Sequence, residues 1–180
     1  MGLETSSDAE AHLRSYIRDI PDYPKPGIIF KDITPLLASS EAFAEATKRM
    51  AVPFDGAGVT HVVAIESRGF ILGGPIAQHL GAGLIPVRKP GKLPAKTRRE
   101  EYALEYGSDA LEIHADACDA GARILIVDDV LATGGTAAAT RRLVESLGAP
   151  VIGFSFLISL GFLGGADRLG STPARSVLAF

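Results

Sequence analysis

Ile124-Leu125-Ile126-Val127-Asp128-Asp129-Val130-Leu131-Ala132-Thr133-Gly134-Gly135-Thr136 is the stretch on which the fold turns. Four branched apolar residues in a row predict a fully buried strand. Two carboxylates follow where that strand is expected to end. A turn of small residues comes next, and Ala137-Ala138-Ala139-Thr140-Arg141-Arg142-Leu143-Val144-Glu145 predicts a helix. Glycines let the backbone come close to a ligand, so the N–H groups from Thr133 to Thr136 can converge on one anion. The helix dipole adds partial positive charge there. In α/β sheets ligands bind beyond the carboxyl ends of the strands, which is where the two acids are expected. A P-loop is excluded because no Lys follows the second Gly. A dinucleotide fingerprint is excluded because Gly-x-Gly-x-x-Gly is missing.

Length and composition bound the rest. The 180 residues suit one domain with a sizeable core, and 47% hydrophobic with 22% charged residues is ordinary for a globular protein. The net charge of −3 implies no general attraction to nucleic acid or to an anionic membrane. Any anion site must therefore be built locally. Cys118 is the single cysteine, so no internal disulfide forms, which fits a reducing compartment. No early apolar run has the length of a signal peptide or a membrane span, so a cytoplasmic location is expected. The histidines are scattered, and no zinc site is expected.

Outward from the central stretch, the same unit recurs. His61-Val62-Val63-Ala64-Ile65 is a second apolar run, followed by Glu66-Ser67-Arg68-Gly69-Phe70 and a helical pattern through Ile76, Ala77 and Leu80. Gly83-Leu84-Ile85-Pro86-Val87 is a third strand, ending in Arg88-Lys89-Pro90-Gly91-Lys92. Three cations at a strand end suit a highly anionic substrate. Residues 151–158 predict another buried strand, and residues 175–180 a last one. A short helical turn is expected at 163–169, and Gly148 ends the helix after the central motif.

Two segments depart from βα alternation. Residues 93–116 carry period-two patterns, Tyr102/Leu104/Tyr106 and Leu111/Ile113, around Gly107-Ser108-Asp109, which signals a hairpin. The charged run 96–101 is expected to precede it as a solvated lead-in. A charged hairpin inserted in an α/β domain serves as a lid. Near the N-terminus, a helix is expected over Ser7–Arg18, and Pro21, Pro24 and Pro26 interrupt regular structure. Residues 26–37 then form an apolar segment between prolines, expected as a short edge strand. A further helix is expected over Ser40–Met50.

The central stretch, a hydrophobic run with Asp128-Asp129 and Thr133-Gly134-Gly135-Thr136, resembles the PRPP-binding signature of the type I phosphoribosyltransferases. Pro26-Gly27-Ile28-Ile29-Phe30-Lys31-Asp32-Ile33-Thr34-Pro35 and Leu104-Glu105-Tyr106-Gly107 are similar to two segments of the adenine phosphoribosyltransferase family. The resemblance covers roughly residues 21–160. It implies one α/β domain over 1–180, with a parallel sheet core flanked by helices. An N-terminal hood at 21–37 and an inserted β-hairpin lid at 92–116 complete it. It implies a pentosyltransferase of purine salvage, converting adenine and PRPP to AMP and pyrophosphate, with Mg²⁺ held mainly through PRPP.

The site residues follow by resemblance. Ala132, Thr133, Gly134, Gly135 and Thr136 take the 5′-phosphate. Asp128 and Asp129 take the ribose hydroxyls. Arg68, Arg88, Lys92 and Tyr106 take the pyrophosphate, with Lys89 a weaker candidate. Phe30 stacks on the base, and Ile29 and Lys31 read its edge through their main chains. Glu105 is the acid–base residue. An unusual peptide bond is implied between Glu66 and Ser67, and a homodimer with contacts in the Arg68–Lys92 region. Two alternatives stay open: a relative that uses another purine base, because main-chain readout hides specificity, and a non-catalytic regulator that binds PRPP and acts on nucleic acid. The intact Glu105 motif and the net charge disfavour the second.

Overall fold

The computed structural model describes residues 6–103 and 108–180. The chain divides into two compact units, Met1–Lys48 and Arg49–Phe180.

In the first unit, α1 (Ser6–Ser15) leads into β1 (Arg18–Pro21), which pairs antiparallel with β2 (Ile29–Asp32). The expected lone edge strand is thus half of a two-stranded ribbon. Its partner reaches Pro21, because a proline is tolerated on an edge strand where no ladder donor is needed. The ribbon is stitched by charge: Arg18 pairs with Asp32 at 2.6 Å and Lys31 with Asp19 at 2.7 Å. Asp22 accepts the N–H of Gly27 at 2.7 Å and closes the proline-rich loop. The segment does not stay extended to Leu37. Asp32 accepts the N–H of Thr34 at 2.9 Å, Pro35 sits in the first turn, and α2 (Thr34–Ala38) forms. Helix α3 (Ser40–Ala51) follows and runs on into the second unit.

The second unit is built on a five-stranded sheet: β3 (His61–Ile65), β4 (Gly83–Val87), β7 (Ile124–Leu131), β8 (Val151–Ser159) and β9 (Ala174–Ala179), all parallel, in the order β4-β3-β7-β8-β9. Helix α4 (Arg68–Leu80) joins β3 to β4, and α5 (Gly135–Ser146) joins β7 to β8. Period two sends the strands' side chains to two buried faces. On one, Val62 and Ala64 meet α4 at Gly73, where an added methyl would lie 2.7 Å from the Ala64 Cβ. On the other, Val63, Ile65, Ile124 and Ile126 join Leu143 and Val144 of α5 in one apolar core.

The hairpin β5 (Thr97–Ala103) and β6 (Ser108–His114) adds Tyr102, Leu111 and Ile113 to that core. It begins earlier than the sequence suggests. Thr97 to Glu101 are paired with β6, although Arg98, Arg99 and Glu101 keep their side chains exposed. The charges alternate over a backbone that is already in register, so solvation of the side chains did not betray the strand.

The acids of the central motif also lie inside their strand. β7 continues through Asp128 and Asp129 to Leu131, with Asp128 opposite Phe156 of β8. Pairing with β8 supplies the ladder that the low strand propensity of aspartate argues against.

Candidate active site

Strand order reverses between β3 and β7, since β4 lies on one side and β8 and β9 on the other. The carboxyl ends of β3 and β7 therefore flank the crevice where doubly wound sheets bind ligands. Two helices start at that edge, α4 at Arg68 and α5 at Gly135. Neither has a side-chain cap or an acidic residue in its first turn. Both N-termini present amide N–H groups with partial positive charge.

The loop after β7 has a backbone suited to an anion. Gly134 adopts φ 77°, ψ 0° as the residue before α5, a left-handed conformation that suits glycine. Residues 131–137 line a small cavity of about 70 Å³ together with Asp128, Val130 and Phe156. Gly165, in the 3₁₀ turn Gly165–Leu169, backs this loop closely.

The larger cavity, about 350 Å³, gathers Glu66, Ser67, Arg68, Lys89, Tyr102, Asp128, Asp129 and Thr136. Arg68 Nε meets Asp129 Oδ2 at 2.6 Å, and the Asp129 side chain is almost fully buried. Asp128 Oδ1 accepts the N–H of Asp129 at 2.9 Å. Burial pushes the Asp128 carboxyl well above its ordinary pKa. The adjacent charge of Asp129 pushes the same way, and Arg68 offsets it in part. Gly69 lets α4 approach β7: a methyl there would stand 3.0 Å from the Val127 carbonyl oxygen and 3.1 Å from Asp128 Oδ1. The Glu66–Ser67 peptide is cis, at the position the resemblance marked as unusual.

Lys89 lines this cavity, whereas Arg88 and Lys92 are engaged with Glu66. The Lys92 ammonium pairs with the Glu66 carboxylate, Arg88 Nε lies 3.5 Å from it, and the Lys89 N–H donates to it at 2.9 Å. Burial alone would raise the pKa of Glu66. The Lys92 hydrogen bond, the Lys89 amide and the charges of Lys92 and Arg88 outweigh it and hold the group below its ordinary value. Arg88 also lies over the Phe70 ring at 6.0 Å.

The turn is fastened to the hairpin by its backbone. Arg88 N–H donates to the Glu112 carbonyl at 2.9 Å, and Glu112 N–H to the Arg88 carbonyl at 2.7 Å. Glu112 Oε2 accepts the Gly91 N–H at 3.0 Å. The Tyr102 hydroxyl accepts from Thr136 Oγ1 at 3.4 Å and donates to Asp109 at 3.3 Å, and Asp109 pairs with Lys89.

Sequence reasoning had singled out neither Glu66, Glu112, Tyr102 nor Gly165 for a role. Glu66 and Glu112 had one local signal: a carboxylate at a strand end beside a cationic turn, and one inside the hairpin's apolar period. Glu105 and Tyr106 lie outside the described residues. Ile29, Phe30 and Lys31 are on β2 of the first unit. Ile29 is exposed, and Phe30 packs edge-on against Tyr23 with ring centres 5.2 Å apart. Among the described residues, no group of three or more His, Cys, Asp or Glu side chains could hold a metal ion.

A reversed parallel sheet with an acidic strand end and a Thr-Gly-Gly-Thr helix start is the frame of a phosphoribosyl transferase domain, and the sequence model of that family matches residues 33–169. An adenine phosphoribosyltransferase of Myxococcus xanthus is 54% identical over 176 residues, spanning 98% of this chain and 96% of its own length. The crystal structure of adenine phosphoribosyltransferase from Rhodothermus marinus superposes with a TM-score of 0.92 at 52% identity, covering 97% of this chain and 99% of that one. The Saccharomyces cerevisiae adenine phosphoribosyltransferase, complexed with an imino-altritol bisphosphate and adenine, superposes with a TM-score of 0.90 at 36% identity over 96% and 99% of the two chains. The chain belongs to the adenine phosphoribosyltransferase family.

Proposed function

We infer that the chain carries out the reaction of its family, transferring the 5-phosphoribosyl group of PRPP to adenine to give AMP and pyrophosphate. The observation that carries this reading is the convergence of two uncapped helix N-termini, Arg68 and the Asp128–Asp129 pair on one crevice. Such a site suits a substrate with phosphate at both ends and a hydroxylated sugar between them.

Thr133 to Thr136 and the Ala132 backbone hold the 5′-phosphate, which stays on the product. Asp128 and Asp129 meet the ribose hydroxyls and balance the positive charge that the ring gains as the bond from C1 to the pyrophosphate oxygen breaks. The electron pair leaves with pyrophosphate, which Arg68, Arg88, Lys92 and Tyr106 receive, with Lys89 beside them. Adenine N9 attacks C1, and Glu105 takes the proton that the imidazole ring gives up. Phe30 stacks on the base, and the main chains of Ile29 and Lys31 distinguish its amino edge. The hairpin covers the site and keeps water from the reactive sugar.

A magnesium ion would be held mainly through PRPP, with the Asp128 and Asp129 carboxylates lining the same cavity. When bound, that ion neutralises charge on the departing pyrophosphate. A homodimer through the Arg68–Lys92 region is supported by Ile71 and Leu84, two exposed apolar residues on α4 and β4. A cytoplasmic location agrees with the free thiol of Cys118, and no helix among the described residues is long and apolar enough to cross a membrane.

The test is product formation from labelled adenine with PRPP and Mg²⁺, beside hypoxanthine, guanine and xanthine. AMP from adenine alone is expected. Turnover of another base would keep the phosphate loop and the acids but remove the role of residues 29–31. Glu105→Gln is expected to lower turnover steeply while PRPP still binds, and unchanged turnover would end its acid–base assignment.

A further inference from the structure

Two of the cations assigned to the leaving group, Arg88 and Lys92, already share one carboxylate of the chain itself. Glu66, whose side chain is only 11% exposed, accepts from Lys92 and from the Lys89 N–H and lies 3.5 Å from Arg88 Nε. This carboxylate stands at the end of β3, directly before Arg68, and lines the same cavity as Arg68 and Lys89. It is not the only anchor of the cationic turn. The paired backbone bonds between Arg88 and Glu112, and the bond from Gly91 N–H to Glu112 Oε2, hold the turn to the hairpin independently.

We propose that Glu66 is a positioning residue that occupies the pyrophosphate cations while they wait and competes with pyrophosphate for them. The inference rests on the assignment of Arg88 and Lys92 to the leaving group. Two anions cannot both take the full share of one ammonium and one guanidinium, and a fixed charge a few ångströms away repels a polyanion. Resting Glu66 on these cations keeps them aimed without a bound ligand. The competition also holds ground-state affinity for the pyrophosphoryl group in check. As the C1–O bond breaks, negative charge builds on the leaving oxygen and draws Arg88 and Lys92 away from Glu66. The interaction thus strengthens where charge develops rather than uniformly. After transfer, Glu66 reclaims the cations and pyrophosphate leaves.

The direction of the effect separates this role from a structural one. Glu66→Gln keeps an acceptor for the Lys89 N–H and removes the charge. Calorimetric titration with magnesium pyrophosphate is expected to give about tenfold tighter binding than the parent chain. The KM for PRPP should fall, and kcat should not rise. Glu66→Asp, which keeps the charge on a shorter arm, should bind pyrophosphate with intermediate affinity. Unchanged or weaker binding in a folded Glu66→Gln chain overturns the proposal. Arg88→Ala is measured alongside. If it leaves pyrophosphate affinity untouched, the assignment of the turn itself is wrong. If it weakens binding while Glu66→Gln does not strengthen it, only the role of Glu66 falls. Should Glu66→Gln fail to fold, carbon-13 NMR of the glutamate carboxylates in the parent chain decides. The Glu66 signal must move when pyrophosphate is added, and a stationary signal overturns the proposal.

Discussion

Gly165 lies so close under the phosphate loop that a methyl on its Cα would stand 2.1 Å from the carbonyl oxygen of Ala132 and 2.9 Å from the amide nitrogen of Gly134. The approach is mutual, since a methyl on Gly134 would stand 2.3 Å from the Gly165 carbonyl oxygen. Both collisions are with backbone, which cannot swing aside as a side chain does. Gly165→Ala is therefore expected to displace the loop assigned to the 5′-phosphate. Overpacking of this kind costs about 1–3 kcal/mol. The KM for PRPP should rise roughly tenfold, which corresponds to about 1.4 kcal/mol, while the KM for adenine changes little. Steady-state kinetics with each substrate varied in turn checks this. Equal rises in both constants would mean that the turn supports the whole site rather than the loop.

Asp128 sets stability against function. Its pKa is raised, first by burial and then by the charge of Asp129. A carboxyl whose folded pKa exceeds its unfolded value binds its proton more tightly in the folded chain. Its contribution is full below the ordinary aspartate pKa and is lost as pH rises through the raised value. Above the ordinary aspartate range, where the unfolded chain would ionise this group freely, keeping it buried costs stability, so Asp128→Asn should raise the Tm by roughly 2–4 °C. The difference from the parent chain should vanish in acid below the ordinary aspartate range. Glu66 works in the opposite sense: its pKa is lowered, and its contribution is lost as pH falls through that lowered value. The two windows lie on either side of the ordinary carboxylate range. Turnover by Asp128→Asn should drop about 100-fold. Thermal melts from pH 3 to 8 and initial rates decide the matter, and a Tm that does not rise at neutral pH rejects it.

Tyr102 links the start of α5 to the turn after β4, the two places assigned to phosphate groups. Its hydroxyl bonds Thr136 at the start of α5 and Asp109, which in turn holds Lys89. Tyr102→Phe keeps the buried ring and removes both bonds. One lost hydrogen bond is worth about 1 kcal/mol, so the KM for PRPP should rise roughly fivefold with the hairpin still folded. Kinetics beside a circular dichroism melt test this, and an unchanged KM would show that the hydroxyl does not act on the phosphate loop.

The parts legible in the sequence were those that local chemistry decides. β3, β4 and β8 are apolar runs bounded by turn residues, and their limits match or nearly match the structure. Arg68 and the Thr-Gly-Gly-Thr loop could be placed at strand ends because each follows such a run. What stayed hidden depends on partners far along the chain. The aspartates lie inside β7 because β8 pairs with Asp128 and again with Val130 beyond them, and Thr97 to Glu101 are strand because β6 pairs with them. Gly165 backs a loop some thirty residues away, and no local pattern marks it. Glu66 reads as one more acid until the fold brings Arg88 and Lys92 onto it.

Arg68 and Asp129 allow the structural and catalytic parts of one contact to be separated. The pair is close, at 2.6 Å, and its acid is nearly buried. Arg68→Ala strands that acid without its partner. Breaking a buried pair on one side costs 3–5 kcal/mol, and the partly exposed guanidinium puts the cost here at about 3 kcal/mol. The same substitution removes a cation assigned to pyrophosphate, so activity and stability should both fall. Replacing both residues, with Arg68→Ala and Asp129→Asn together, removes the stranded charge. The double variant should regain most of the lost stability while its turnover stays low, because the residues assigned to the leaving group and the ribose are both gone. Chemical denaturation gives the stabilities, and initial rates at saturating PRPP give the activities. A double variant as unstable as Arg68→Ala alone would mean that Arg68 supports the fold through contacts other than Asp129. Recovery of turnover along with stability would mean that Arg68 acts only by holding Asp129 in place and has no part in the departure of pyrophosphate.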